Sequence, residues 1–167
     1  MGLKYIPPFG SGVSHRFYGK TLADVRKELE IKIKNPKFQF GYVDYSVKYD
    51  CDVDTNSDKI ILPIYLEIKL SLFMPVWQYT FRPSAEQTEW LRLYHACYFH
   101  EKGHIEIFER EANVMYTRMC MSKTGNELAT VFDNEKRRIE LLQTDYETVT
   151  DHGRNQKSEY GNCTLNW

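Results

Sequence analysis

The sequence predicts an α+β fold, in which an antiparallel sheet of long strands with an N-terminal helix is followed by two long C-terminal helices. Apolar and polar residues alternate over 38–50 and again over 60–72, which is the period of a strand with one buried face and one wetter face. After Pro83 the apolar residues recur at helical spacing instead. Because strands come first and helices afterwards, we expect both long helices to pack on one face of the sheet.

The bulk composition predicts one globular domain over residues 1–167. The net charge is −1 and the basic residues are scattered, so no nucleic-acid-binding surface is indicated. No apolar run approaches the roughly 18 residues that a membrane span needs. Residues 1–12 lack the apolar core of a signal peptide, and we expect this segment to be flexible. These features fit a cytosolic protein, and they fit equally an exported one whose signal has been removed.

Cap and turn residues predict the elements of the N-terminal half. Thr21, with Asp24 three residues on, is typical of an N-cap and opens a helix over about 22–33, after an extended piece at 13–18. The sequence DTNSD at 54–58 predicts a hairpin connection between the two long strands.

The same kind of residue marks the C-terminal half. Pro63 indicates an edge or a bulge near that point of the second long strand. Ser84 with Gln87 is a capping-box pattern at the start of a helix over about 85–121, in which Gly103 marks a local weakness. A break at 124–126 separates this helix from another over about 127–148.

The first long helix carries His100, Glu101 and His104, which spell H-E-x-x-H. Residues four apart project from one face of a helix, so both imidazoles can reach one Zn²⁺ at about 2.0–2.1 Å. The glutamate between them lies off the metal but within reach of its water. The pattern predicts His100 and His104 as zinc ligands and Glu101 as general base. A surface helix with two histidines, or a histidine pair capped by glutamate, are the simpler interpretations.

A catalytic zinc normally takes three protein ligands, so one more must come from another segment. Glu111 lies about 10 Å further along the same helix, too far to share the metal. Glu135 or Glu140 on the next helix would supply a carboxylate, and His152 beyond that helix would supply an imidazole. The residue types alone leave these open.

The segment YETVTDHGRNQ resembles the pattern Y-D-x-x-T-x-H-G-x-x-Q of a bacterial family of predicted secreted zinc-dependent proteases, catalogued as a domain of unknown function. Glutamate stands where aspartate is usual, and Lys157 where glycine is usual. H-E-x-G-H with its Gly103, FYGKTLADVRKEL at 17–29 and Pro-Val-Trp at 75–77 agree with the same family. The matching residues of the C-terminal pattern are Tyr146, Glu147, Thr150, His152, Gly153 and Gln156.

The resemblance implies an exported bacterial protein, periplasmic or secreted, whose zinc is held by His100, His104 and His152. Tyr146, six residues before His152, is the candidate hydrogen-bond donor to an oxyanion, although a packing role would suit it equally. Asp145, Glu147 and Asp151 could orient the ligand histidines, and a solvated surface carboxylate is the commoner role for each.

Export would also favour disulfides among the four cysteines. Cys97 and Cys120 would lie about 35 Å apart on one continuous helix and could not pair with each other. The pairing of Cys51 with Cys97 and of Cys120 with Cys163 is one of the two options that remain, and four free thiols is the alternative.

The leading functional hypothesis is a zinc-dependent metallopeptidase that cleaves an amide bond of a peptide or protein. A peptidoglycan amidase would use the same ligands. A non-catalytic, zinc-stabilised binding module of the cell envelope is the alternative from another class. Tyrosines along the strands would suit its recognition surface, and they suit ordinary cross-strand pairing as well; they are Tyr42, Tyr45, Tyr49 and Tyr65.

Overall fold

The computed structural model describes residues 2–6, 11–35, 37–78 and 84–164. Its α+β class confirms the prediction, with one helix between the N-terminal strands and the long strands and two long helices at the C-terminal end. In chain order the elements are β1 (Gly2–Ile6), β2 (Ser11–Phe17), α1 (Leu22–Lys32), β3 (Tyr42–Asp54), β4 (Lys59–Trp77), α2 (Ser84–Met119) and α3 (Gly125–Thr150).

The sheet is mixed, with β4 at its centre. β3 pairs with β4 in antiparallel fashion along one edge, whereas β1 and β2 follow one another along the other edge and run parallel to β4. The predicted antiparallel sheet is therefore right for β3 and β4 and wrong for β1 and β2. Alternation of side chains reports which face of a strand is buried, but it carries no information about strand direction. β1 lies within the segment that the sequence predicts to be flexible.

The interruption predicted at Pro63 is confirmed in both of its forms. β1 begins to pair with β4 only at Tyr65, so within the described residues β4 has a free edge beside Pro63. Opposite this stretch the register of β3 shifts between Asp50 and Asp52, which is a bulge.

One face of β4 forms the main core with the two long helices, as predicted. Its inward residues include Ile64, Leu66 and Ile68, which pack against Phe108 of α2 and Ile139 of α3. Burial of each such side chain contributes roughly 1.5–3 kcal/mol, so this face fixes α2 and α3 beneath the sheet. A second cluster, which contains Phe17, Leu22, Trp77, Trp90 and Cys97, joins α1 and the end of β4 to the first half of α2.

Local sequence explains the helix ends. Thr21 accepts a hydrogen bond from the Asp24 amide, as expected of an N-cap, and the Asp24 carboxylate accepts one from the Thr21 amide, so α1 begins with a complete capping box. The capping box predicted for Ser84 and Gln87 involves a Ser84 side chain outside the described part of the structure. α2 continues unbroken through Gly103. No described helix is long and apolar enough to cross a membrane.

Two of the sheet tyrosines pack against the helices, which the sequence left open. Tyr45 packs on Phe108, and Tyr49 packs on Phe132 with ring centroids 4.6 Å apart, so these two tyrosines do not belong to an exposed recognition surface.

All four cysteines are free thiols, and Cys97 is hydrogen-bonded to Cys163. Of the two pairing options, the one that joins Cys51 to Cys97 is therefore wrong, because the neighbour of Cys97 is Cys163.

Candidate metal centre

His100 and His104 lie one turn apart on α2, and both project towards α3. Their side chains are buried, with 5% and 8% of each residue exposed, and their ring centroids are 5.0 Å apart. The helix predicted for H-E-x-x-H is thus present, and it presents both imidazoles to the same space between the two helices.

Glu147 of α3 completes a group of three possible ligands. Its Oε1 lies 3.0 Å from Nε2 of His104, and its Oε2 lies 3.5 Å from Nε2 of His100. The candidate ligand atoms of His100, His104 and Glu147 all lie within 4.8 Å of one another. In a tetrahedral zinc site with bonds of about 2.0–2.1 Å, ligand atoms are roughly 3.3 Å apart. The three side chains therefore have the spacing that one zinc ion requires.

The Glu147 carboxylate is surrounded by imidazoles. Its Oε2 lies 3.5 Å from Nε2 of His100 and 2.7 Å from Nδ1 of His152. An imidazole is charged only when it is protonated, whereas a divalent cation between Glu147 and the two buried imidazoles would supply a lasting positive charge. Two imidazoles and one carboxylate form a donor set that suits Zn²⁺. The residues present thus fit a zinc ion.

Two glutamines fix the orientation of the histidines. The Oε1 atom of Gln156 lies 3.2 Å from Nδ1 of His100, and that of Gln143 contacts Nδ1 of His104. Gln143 also donates its Nε2 to the His104 carbonyl at 3.1 Å, which fixes its amide. Because an amide oxygen only accepts, each imidazole carries a proton on Nδ1, and its Nε2 faces the cluster. A histidine held in this way binds a metal through Nε2 once that atom carries no proton.

The charges within the cluster are strongly coupled. Burial alone would raise the pKa of Glu147, but hydrogen bonds and charge interactions with His100 and His104 outweigh it and hold this pKa well below its usual range. Burial alone would lower the pKa of His104, but its hydrogen bonds to Glu147 and Gln143 outweigh that effect and raise it. The carboxylate is therefore ionised, as a metal ligand must be.

Glu101 lies beside this cluster, where it interacts with the charges of His104, His100 and Glu147. Only 5% of it is exposed, and a Cβ atom at Gly41 would lie 3.2 Å from its Oε1, so the loop before β3 covers it closely. Burial raises the pKa of Glu101 to about 7, against the opposing charges of His104 and His100.

Tyr146 packs between the two histidines and Gly103. Its ring stacks on that of His100 at 5.2 Å, and its hydroxyl donates to the His100 carbonyl at 3.2 Å and accepts from Gln156 at 3.1 Å. A Cβ atom at residue 103 would lie only 2.1 Å from this hydroxyl, so the glycine of H-E-x-G-H makes room for the tyrosine. The donor that the sequence assigns to an oxyanion is here bound to a backbone carbonyl.

His152 lies at the edge of the cluster. It is in the turn after α3, its side chain is 74% exposed, and its Nδ1 is 2.7 Å from Oε2 of Glu147. The backbone of the turn is left-handed at Asp151, His152 and Gly153, with φ of 47°, 53° and 80°. The structure thus places His152 beside the carboxylate of the cluster, and its role as a direct ligand stays a prediction.

The other carboxylates considered on or near α3 have different partners. Glu135 binds Arg118 and Arg138, and Glu140 accepts a hydrogen bond from Tyr45 at 3.1 Å. These two alternatives for the third ligand are therefore wrong.

Asp145 is exposed, and Asp151 lies 3.8 Å from Arg154. Glu147 is not a solvated surface carboxylate, although that was the commoner role for a residue of this kind. The sequence feature that could have indicated Glu147 as a ligand is its position one turn after Gln143, on the same face of the helix.

Comparison with known proteins gives a family and no precedent for its chemistry. No curated protein and no solved structure matches this chain. The model of a family described as "bacterial protein of unknown function (DUF922)" matches residues 13–153, a span that includes His100, His104 and Glu147. This span covers most of the 167 residues. The chain therefore belongs to this bacterial family of unknown function.

Proposed function

We propose that the protein is a zinc-dependent hydrolase that cleaves amide bonds, with its metal held by His100, His104 and Glu147. The observation that carries the proposal is the convergence of two buried imidazoles and one partly buried carboxylate, whose candidate ligand atoms lie within 4.8 Å of one another. In this assignment His152 holds the Glu147 carboxylate from the solvent side. The resemblance noted above assigns His152 as the third ligand instead, and the same experiment tests both assignments.

In this proposal the residues around the cluster have separate roles in the reaction. A bound zinc ion supplies a Lewis acid that polarises the carbonyl of the scissile bond and acidifies water. Glu101 accepts the proton of the attacking water and passes it to the leaving nitrogen. Gln143 and Gln156 keep the Nε2 atoms directed inwards, and Gly41 closes the space over Glu101, which excludes bulk water from the base.

A cavity next to the cluster offers room for part of a substrate. Its volume is about 470 Å³, and its wall includes Tyr146 and Gln156, which both contact His100, but none of the proposed ligands and not the proposed base. The apolar parts of the wall are formed by Phe99, Ile107 and Leu142, and the charged parts by Lys102, Glu106 and Arg110. A volume of this order accommodates a small ligand or a peptide side chain, which is compatible with the peptide or protein substrate that we propose. An exported location, where such substrates and peptidoglycan stem peptides occur, is part of the same proposal.

The zinc content of purified variants tests the metal site. We expect about one equivalent in the wild type and little in Glu147→Ala, whereas His152→Ala retains zinc with an affinity lowered about tenfold. Glu140→Ala, which removes an exposed carboxylate from the same helix, is the matched control and should bind zinc like the wild type. Zinc lost from His152→Ala but kept by Glu147→Ala would make His152 the ligand. A wild type that takes up no zinc would overturn the proposal.

Turnover is tested with Glu101→Gln, which keeps the shape of the side chain and removes the base. Unfolded protein substrates and peptidoglycan stem peptides should be offered separately to the zinc-loaded enzyme. We expect Glu101→Gln to bind zinc normally and to lose about 10²–10⁴ in rate on the substrate that the wild type cleaves. The choice of substrate separates a peptidase from a peptidoglycan amidase.

The non-catalytic binding module differs in a measurable way. Close cover over Glu101, with Gly41 against it, is the observation that favours this module. Its zinc would serve stability alone, so removal by a chelator would lower Tm and the loaded protein would cleave neither substrate. Cleavage that survives in Glu101→Gln at the wild-type rate would contradict the proposed base without supporting the module.

A further inference from the structure

Two cysteines distant in sequence meet next to the metal centre. Cys97 lies one turn before His100 on α2, is 4% exposed and belongs to the cluster of Phe17 and Trp90. Cys163, in the C-terminal tail, is partly exposed and packs against the same cluster. The two thiols are joined by a hydrogen bond, which together with burial raises the pKa of Cys97 well above its usual range. The contact unites residues 97 and 163, which no local pattern brings together.

The tail that carries Cys163 is held by a single arginine on α2. Arg92 is itself fixed by Glu89, to which its Nε and Nη2 donate at 2.8 Å. Its guanidinium donates to three backbone carbonyls of the tail, those of Tyr160, Asn162 and Thr164. Because these contacts are made to the backbone on both sides of Cys163, the position of its sulfur does not depend on its own side chain alone.

The tail in turn covers the turn that follows α3. The Cys163 amide donates to the Gly153 carbonyl at 3.2 Å. A Cβ atom on Gly153 would lie 2.5 Å from Sγ of Cys163 and 3.2 Å from Cγ of His100, so residue 153 is wedged between the tail and a proposed zinc ligand. The same turn carries His152 and leads to Gln156, which holds His100. A bond that holds Cys163 in place therefore also holds the turn with His152 and Gln156 against the metal centre.

We propose that Cys97 and Cys163 form a disulfide that binds the C-terminal tail covalently to α2 beside the metal centre. The oxidant is a disulfide of another molecule, RSSR, such as glutathione disulfide or an oxidised dithiol protein. The thiolate of Cys163, the more exposed of the two, attacks RSSR, and the first RS⁻ leaves and takes up a proton. Cys97 then attacks the sulfur of Cys163 and releases the second RSH. Two thiols are oxidised, one RSSR is reduced to two RSH, and both protons are accounted for.

The two remaining cysteines do not compete for this bond. Cys51 packs against the main core at the bulge of β3, close to the connection between β3 and β4. Cys120 is exposed at the far end of α2, where it interacts with Tyr116. Cys97 and Cys120 are separated by 23 positions on or next to the same straight helix, which is roughly 35 Å. The pair next to the metal centre is thus the one that geometry selects.

Disulfide mapping of the wild-type protein tests the proposal and does not depend on zinc or on activity. The protein is incubated with glutathione disulfide, quenched in acid, unfolded, alkylated and digested without reduction. We expect one cross-linked peptide pair that joins Cys97 to Cys163, and a Tm higher by about 10 °C than that of the reduced protein, because the bond closes a long loop. Dithiothreitol should reverse both changes.

Two serine variants provide the matched comparison. Cys163→Ser should show neither the cross-link nor the rise in Tm, whereas Cys120→Ser should show both, because residue 120 is exposed and far from the pair. A wild type in which Cys97 and Cys163 are both alkylated after oxidation would overturn the proposal. So would a cross-link from Cys163 to Cys120 or to Cys51.

Discussion

The interface of α2 with α3 contains two groups of carboxylates that differ in their positively charged partners. In the arginine-paired group, Glu111 and Glu135 are both buried and face Arg138, whose guanidinium lies 2.6 Å and 2.8 Å from them. Arg118 adds a second contact to Glu135. In the histidine cluster, Glu147 faces His100 and His104, and its Oε2 also lies 2.7 Å from Nδ1 of His152.

The difference lies in where the positive charge comes from. A guanidinium is charged at all ordinary pH values, so the arginine-paired group is complete without any further component. The imidazoles that face Glu147 are charged only when they are protonated, so the carboxylate of the histidine cluster lacks a permanent counterion. The same two helices therefore contain one group complete in itself and one that a divalent cation would complete.

Paired substitutions in the two groups should separate these roles most strongly. Glu135→Gln removes the buried carboxylate that Arg118 and Arg138 face. Both guanidiniums are partly exposed and Arg138 keeps Glu111, so we expect the free energy of unfolding to fall by about 1–3 kcal/mol with zinc affinity unchanged. Glu147→Gln should lower zinc affinity by at least about 100-fold and change the stability of the zinc-free protein by no more than about 1 kcal/mol. Urea unfolding and zinc titration measure the two quantities. The same pattern in both variants would contradict the distinction.

A substitution at Gly103 should disturb the histidine cluster through packing alone. Gly103→Ala places a methyl group 2.1 Å from the Tyr146 hydroxyl, and relief of that overlap should cost about 1–3 kcal/mol and displace the ring that supports His100. The cost is measured by urea unfolding. In a Tyr146→Ala background the same substitution should cost much less, and an unchanged cost there would locate the strain elsewhere.

Loss of a supporting glutamine should have a smaller effect, confined to metal affinity. Gln156→Ala removes the acceptor that fixes Nδ1 of His100, and Gln143→Ala does the same for His104. We expect each to lower zinc affinity about tenfold, as is usual when the hydrogen-bond partner of a ligand is lost. Gln87→Ala, on an exposed turn of α2, should have no effect. Equal affinities in all three variants would mean that the histidines need no such support.

The smallest expected effect is the pH dependence of the arginine-paired group. Burial would raise the pKa of Glu111, but Arg110 and Arg138 outweigh it and lower it below the ordinary 4.5. A lowered pKa means that the carboxylate stabilises the fold above pH 4.5, and that this contribution is lost as the pH falls through the folded-state pKa. The stability difference between wild type and Glu111→Gln should therefore shrink below about pH 4. A stability difference that grows on acidification would contradict a lowered pKa for Glu111.

The parts of the fold that depend on neighbouring residues could be predicted from the sequence. The capping box of Thr21, the buried face of β4 and the helical setting of His100 and His104 follow from spacings within a few residues. The direction of β1 and β2 relative to β4 could not be predicted, because it depends on how the chain returns to the sheet.

The third member of the histidine cluster shows the same limit at the site. Glu140 and Glu147 lie seven residues apart, two turns along one face of α3. From the sequence alone, Glu140 was a candidate for the third ligand. Which of them faces His104 depends on how far α3 is shifted along α2. That shift is set by the packing of apolar side chains such as Phe108 and Ile139, and no local pattern contains it.

The tail held by Arg92 has a practical consequence for anyone who shortens this protein. The family match ends at residue 153, which is the natural place to cut an expressed domain. A chain cut there would lack Gln156 and Cys163, and it would leave the guanidinium of Arg92 facing water where three carbonyls had been. Such a fragment would keep every residue of the histidine cluster and yet bind metal poorly. An inactive fragment of that length would therefore report on its boundary, and the fragment to express runs at least to Thr164.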